Sequence, residues 1–187
     1  MAALRVEGYV IVSADGMLAD ASNVMPDALK FEGDARFFSA ALDRADLIVH
    51  GRHSYEDQPN SPRRKRIILT RKIPALAPDP DNPRATLWNP QGSPFEAACE
   101  AAGVRDGTVA IIGGPVVFGM FMDRYDTFYL SLAPHVRLPG GEPCFPGVGP
   151  DRLPQQILAA HGLEPAETQM LDPAPNVSVT AWRRHAN

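Results

Sequence analysis

Short aliphatic runs alternating with segments of helical period constrain this chain more than any other feature. Leu4 to Ser13, Asp46 to Val49, Arg66 to Thr70, Thr108 to Ile112 and Thr127 to Ala133 carry Val, Ile and Leu in runs too short for helices. Between the first two, Phe37, Phe38, Ala41, Leu42 and Ala45 recur at three-to-four spacing behind Asp34, a candidate N-cap. Ser93 to Ala102 suits a helix with Ser93 as cap, Pro94 at its first position and Gly103 as its stop. Gly113-Gly114-Pro115 opens a further helix through Met122. Strands joined by helices in this way predict an α/β domain around a mostly parallel, covered sheet.

The last third reads differently. A Pro/Gly-rich loop from Leu138 to Pro154 leads to a short helix over Gln155 to Ala160. Two strands, Gly162 to Leu171 and Asn176 to Arg184, then predict an antiparallel C-terminal edge. The proline-dense stretch Ile73 to Pro83 reads as a surface connection, because repeated prolines remove backbone donors. No repeat or long linker divides the 187 residues, so residues 1–187 are expected to form one domain.

Three clusters end strands and carry the chemistry. Gly113-Gly114, at a strand-to-helix junction, allows close backbone approach to a phosphate, and the helix start supplies free N–H groups. Gly51-Arg52-His53-Ser54 follows an apolar strand and places a fork donor and a hydroxyl at an expected helix start. Thr70-Arg71-Lys72 pairs a guanidinium fork with a point charge, as a ribose 2'-phosphate requires. Each cluster alone also reads as a plain turn or a solvated strand end. Their shared place at carboxyl ends of strands, where open α/β sheets bind ligands, favours function.

Gly51 to Glu56, Arg66 to Thr70 and Ile111-Ile112-Gly113-Gly114, in that order, resemble the cofactor-binding blocks of dihydrofolate reductase. Met25-Pro26, Asp34 through Phe38, Phe128 to Ser131, and Gly141 through Phe145-Pro146 extend the resemblance over most of the chain. It implies that NADPH is the cofactor. Gly51, Arg52, His53, Ser54, Thr70 and Arg71 would bind its adenosine end, and Gly113, Gly114, Pro115 and Val116 its pyrophosphate. Asp34 would be the acid that anchors an amino-pyrimidine, Phe38 would pack on that ring, and Arg64 would grip a carboxylate of the substrate tail. Ser13-Ala14-Asp15-Gly16-Met17-Leu18-Ala19 is similar instead to the opening of the riboflavin-pathway reductase domain, which shares the fold. In that reading Ala14 and Gly16 lie against the cofactor and Asp15 belongs to a loop covering the nicotinamide; the alternative is a turn pair. Asp27 stands where dihydrofolate reductases have tryptophan, Phe118 where they have tyrosine, and Ile112 where the riboflavin branch has glutamate.

The expected activity is hydride transfer from NADPH to a pterin or related pyrimidine. The alternative is a non-catalytic NADPH-binding protein of the same fold. A formal charge of -4 offers no global attraction for nucleic acid or an anionic membrane, and the basic run Arg63 to Arg66 lacks interleaved aromatics. His50, His135, His161 and His185 form no close metal-type pair, so no metal is expected. Cys99 and Cys144 belong to no ligand or disulfide pattern, and no apolar run reaches membrane length; a cytoplasmic protein is expected. An apolar edge formed by the terminal strands would suit a homodimer.

Overall fold

A computed structural model describes residues 3–185. β1 (Leu4–Ser13) leads into a short strand, β2 (Met17–Ala19), and then to α1 (Glu32–Arg44) and β3 (Leu47–Gly51). β4 (Arg66–Leu69) is followed by a hairpin, β5 (Leu76–Asp79) and β6 (Asn82–Trp88), and by α2 (Phe95–Ala101). Next come β7 (Gly107–Ile111), α3 (Pro115–Met120), β8 (Thr127–Ala133) and β9 (Glu142–Pro143). The described chain closes with α4 (Pro154–Ala160), β10 (Leu163–Asp172) and β11 (Val177–Arg184).

Nine strands form one sheet in the order β10-β11-β8-β1-β7-β3-β4-β6-β5. The central pairings, β8-β1, β1-β7, β7-β3, β3-β4 and β4-β6, are all parallel, and β11 and β10 add the expected antiparallel edge. The α/β class with a mostly parallel sheet is therefore the architecture observed.

Alternate residues of the central strands face opposite layers, as a pleated strand requires. Val6, Val12, Leu47, Val49, Ile67, Leu69, Val109 and Ile111 share one core with Phe95, Cys99, Val117, Phe118, Ile157 and Leu158 from α2, α3 and α4. On the opposite face Tyr9, Ile48 and Ala110 pack with Ala41 and Leu42 of α1, with Phe37 and Phe38 at the margin. The three-to-four spacing of α1 thus buries the stripe foreseen for it.

Several expectations are corrected. Asp34 is the third residue of α1 rather than its cap; the N-cap position belongs to Phe31, whose side chain makes no capping bond. Pro94, not Ser93, caps α2, and the Ser93 carbonyl instead accepts the Trp88 indole N–H at 2.8 Å. α3 stops at Met120. No helix follows Gly51-Arg52-His53-Ser54; only a 3-10 turn, Ser61–Arg63, interrupts the coil before β4. Pro59 and Pro62 cannot donate along a helix, and Glu56 turns inward.

The supposed connection from Ile73 to Pro83 contains β5 and the start of β6. The prolines fit because Pro78 lies on the edge strand and Pro83 precedes Ala85, where pairing of β6 with β4 begins. The exposed outer strand β10 is charged rather than apolar. Glu167 pairs with Arg183 at 2.9 Å, and Glu164 pairs with His185 at 2.5 Å. Among the described residues, no helix is long and apolar enough to cross a membrane, and no three His, Cys, Asp or Glu side chains gather as a metal would require.

Candidate active site

The chain leaves β1 toward β3 on one side of the sheet and leaves β7 toward β8 on the other. The two connections leave neighbouring strands in opposite directions, so the carboxyl ends of β1 and β7 mark a topological switch point, the general location of ligands in open α/β sheets. Ser13-Ala14-Asp15-Gly16 ends β1, Gly113-Gly114 ends β7, Gly51 to Ser54 ends β3, and Thr70-Arg71 ends β4. Four separated sequence clusters therefore line up along one rim.

The middle two are in direct contact. The Gly51 amide donates to the Gly113 carbonyl at 2.8 Å, and the Ser54 amide closes its own turn on the Gly51 carbonyl at 3.2 Å. Gly113 has φ of 113° and is joined to Gly114 by a cis peptide bond. A Cβ at Gly114 would stand 3.3 Å from the Ser54 hydroxyl, so a side chain there would fill the space between the two turns. Pro115 brings no N–H, and Val116 is exposed at the start of α3. Arg52, His53 and Arg71 are exposed, whereas Thr70 is buried and its amide donates to the Trp88 carbonyl at 2.9 Å.

The loop after β1 is fastened down. The Asp15 carboxylate accepts the Ser13 hydroxyl and, at 3.1 Å to each oxygen, the Leu138 amide. Burial works to raise its pKa, but the Ser13 and Leu138 bonds prevail and hold the carboxyl below its ordinary value. Asp15 is thus an ionised brace. The Ala14 amide donates to the Val136 carbonyl, the Cys144 amide donates to the Gly16 carbonyl, and β2 pairs with β9. Gly16, at φ 84°, packs where a Cβ would meet Val148 at 2.8 Å.

Asp34 behaves oppositely. Its half-buried carboxyl lies beside buried Ser131 of β8. Burial raises its pKa, the Ser131 hydroxyl works against this, and the negative Asp172 raises it further, to about 6. Asp172 caps α1 from β10, accepting the Gly33 amide at 2.8 Å and the Asp34 amide at 3.1 Å. Phe38, one helical turn beyond Asp34, is half-buried with its ring centroid 6.4 Å from that of Tyr9. Arg64 stands apart. Its guanidinium donates to Asp43 at 2.7 Å and Gln58 at 3.0 Å, and pairs with Glu56 at 3.2 Å, so the chain's own carboxylates neutralise it.

The arrangement of strands and rim can be compared with solved structures. A Shewanella sp. PV-4 protein named for riboflavin biosynthesis matches with a TM-score of 0.66 and 21% identity over 100% of each chain. Dihydrofolate reductase from Enterococcus faecalis, in complex with NADP(H) and RAB-propyl, matches with a TM-score of 0.65 and 18% identity over 97% of each chain.

This is the dihydrofolate reductase fold. No protein-family profile matches the chain, and no curated protein does. At 18% and 21% identity, the likeness to these structures lies in the backbone architecture.

Sequence reasoning singled out the rim glycines and Asp34 as candidates but gave no role to Ser131 or Asp172. Neither has a local signature: Ser131 is one polar residue in an apolar strand, and Asp172 lies 138 residues from the amide it caps. The pair His50 and Arg66, buried beneath the Gly51 turn, was also missed. An arginine opening an aliphatic strand reads as a solvated end until the fold encloses it.

Proposed function

We propose that the protein is an NADPH-dependent reductase acting on a pterin or related pyrimidine. The observation that carries this reading is the half-buried Asp34 carboxyl beside Ser131 of β8, which pairs with Ile11 just before the turn at Ser13, at the same strand ends that carry the adjoining glycine turns.

The residues present fit the cofactor. A Cβ at Gly114 would meet only the Ser54 hydroxyl, at 3.3 Å, so the bare glycine leaves the backbone open to close approach of an anion. Gly113, Gly114, Val116 and the Gly51 to Ser54 turn would hold the pyrophosphate, with Pro115 fixing the helix start. Arg52 and His53 would flank the adenosine, Thr70 would support the strand end, and the free Arg71 fork would meet a 2'-phosphate. When bound, the dinucleotide supplies the hydride.

Asp34 would accept hydrogen bonds from adjacent ring and amino N–H groups of the heterocycle. A carboxyl near pKa 6 is protonated in an appreciable fraction of molecules at neutral pH and returns a proton readily, so Asp34 would assist protonation of the ring nitrogen beside the reduced carbon. Ser131 would orient that carboxyl. Phe38 would give the ring an apolar wall, and Ala14 and Gly16, braced through Asp15, would shield the reacting face from water. Arg64, already paired within the chain, takes no part.

A thermal-shift titration with NADPH and NADH in parallel tests the cofactor, since a ligand that binds only the folded state raises apparent stability. Turnover of NADPH against dihydrofolate and the ribosylaminopyrimidine of riboflavin synthesis then tests the chemistry. A stabilising shift without turnover on any pyrimidine would support the non-catalytic alternative; no binding of either nucleotide would overturn both readings.

A further inference from the structure

Beneath the Gly51 to Ser54 turn, on the α1 side of the sheet, lies a buried polar network that the proposed chemistry does not use. Its centre is Arg66, the fully buried first residue of β4. Arg66 Nη2 donates to Glu56 Oε1 at 2.8 Å, and to the Ser61 carbonyl and hydroxyl at 3.0 and 3.1 Å. Its Nη1 lies 3.0 Å from His50 Nε2. Tyr55 roofs the network, with the Arg66 guanidinium 4.3 Å from its ring centroid and the His50 ring edge-on to it.

The protonation pattern follows from chemistry. A guanidinium has donors only, so His50 Nε2 must accept. The proton of the neutral ring is then on Nδ1, which lies 2.7 Å from the Gly51 carbonyl and donates to it. The same carbonyl receives the Ser54 amide that closes the turn, and the Gly51 amide reaches across to Gly113. A chain of directed bonds thus runs from Glu56 through Arg66 and His50 to Gly51, the residue whose carbonyl closes one glycine turn and whose amide reaches the other. Apolar residues of similar volume would fill this space at little cost in stability. What they could not supply is the directed bond to Gly51.

We propose that His50 and Arg66 are positioning residues for the nucleotide-binding turn: Arg66, clamped by Glu56, holds His50 in the tautomer whose Nδ1–H fixes the Gly51 carbonyl, and so aims the Arg52 to Ser54 donors at the anion. The identity of that anion rests on the cofactor reading above. The orientation of the turn does not.

The test compares His50→Phe, which keeps ring shape but loses both bonds, with His50→Asn, whose amide nitrogen falls near the place of Nδ1 and restores the donor to Gly51. His50→Phe is expected to weaken NADPH binding about tenfold, the worth of one well-placed hydrogen bond, while kcat at saturating NADPH changes less than twofold. His50→Asn recovers most of the affinity. A folded His50→Phe protein that binds NADPH as tightly as wild type overturns the proposal, and so does a His50→Asn protein as weak as His50→Phe.

If His50→Phe fails to fold, nitrogen NMR of the wild-type imidazole decides. The Nδ1–H tautomer at neutral pH is required, and an Nε2–H or doubly protonated ring overturns the proposal. If wild-type protein binds no NADPH, the cofactor reading falls, but exchange of the Ser54 amide still decides this one. Faster exchange in His50→Phe supports the positioning role, and unchanged exchange removes it.

Discussion

Asp172 and Asp34 are neighbours through the backbone of one and the field of the other. The Asp172 carboxylate accepts the Asp34 amide at 3.1 Å, capping α1, while its charge helps keep the Asp34 carboxyl protonated. One acidic residue thereby ties the antiparallel edge of the sheet to the chemistry of the helix beside it.

Replacing Asp172 with Asn should therefore have two separable effects. Loss of the negative charge lowers the Asp34 pKa from about 6, shifting the corresponding limb of the pH profile of kcat/KM to lower pH. Loss of one of the two capping bonds costs about 1 kcal/mol of stability. A pH profile identical to wild type, in a protein destabilised as expected, would show that Asp172 only caps.

Asp34→Asn should spare the nucleotide rim, leaving the NADPH dissociation constant within about twofold, while turnover falls about 100-fold, as expected for loss of a general acid. Steady-state kinetics on an active pyrimidine, set beside a binding titration, measures both. Undiminished turnover would remove Asp34 from the mechanism.

Stability should respond to pH through two groups of opposite sign. Asp34 has a folded pKa raised from its ordinary 3.8 to about 6, so its contribution to stability is full below about pH 4 and is lost as pH rises toward 6. Burial pushes His50 down from 6.5 to about 4, so its contribution is present above 6.5 and is lost as pH falls toward 4. In wild type the two offset each other over this range. Asp34→Asn leaves only the His50 slope, and its unfolding free energy should fall between pH 6.5 and 4.5 by on the order of 2 kcal/mol more than that of wild type. Denaturant unfolding across this window gives the comparison, and parallel curves would contradict it.

Arg71→Ala should weaken NADPH about tenfold and leave NADH nearly unchanged, because the exposed fork at the end of β4 is assigned to the 2'-phosphate alone. Parallel isothermal titrations read the two affinities. Equal loss for both nucleotides would place Arg71 elsewhere on the cofactor or show that it acts through the fold.

The strands and helices were legible where the signal is local. Leu4–Ser13 and Thr127–Ala133 coincide with β1 and β8, and the apolar stripe of α1 follows from its spacing. The hairpin of β5 and β6 was hidden by its prolines, which are tolerated at an edge and ahead of the pairing register but read as breakers when neighbours are unknown. Arg64 shows the converse. Its place in the sequence suggests a free cation, and only the approach of Asp43 from α1 and of Glu56 from the loop after β3 reveals it as neutralised.

By itself the sequence determined the alternation of strand and helix, the glycine and basic clusters at strand ends, and the acid at the head of the first helix, because each depends on residues within a few positions of one another. Tertiary structure decided which strands are neighbours, that the Gly51 and Gly113 turns share a hydrogen bond, and that Asp15 is held ionised while Asp34 is held near pH 6. Those properties arise from burial and from charges and donors contributed by distant segments, and a carboxyl's proton affinity is set by what surrounds it rather than by what adjoins it in the chain.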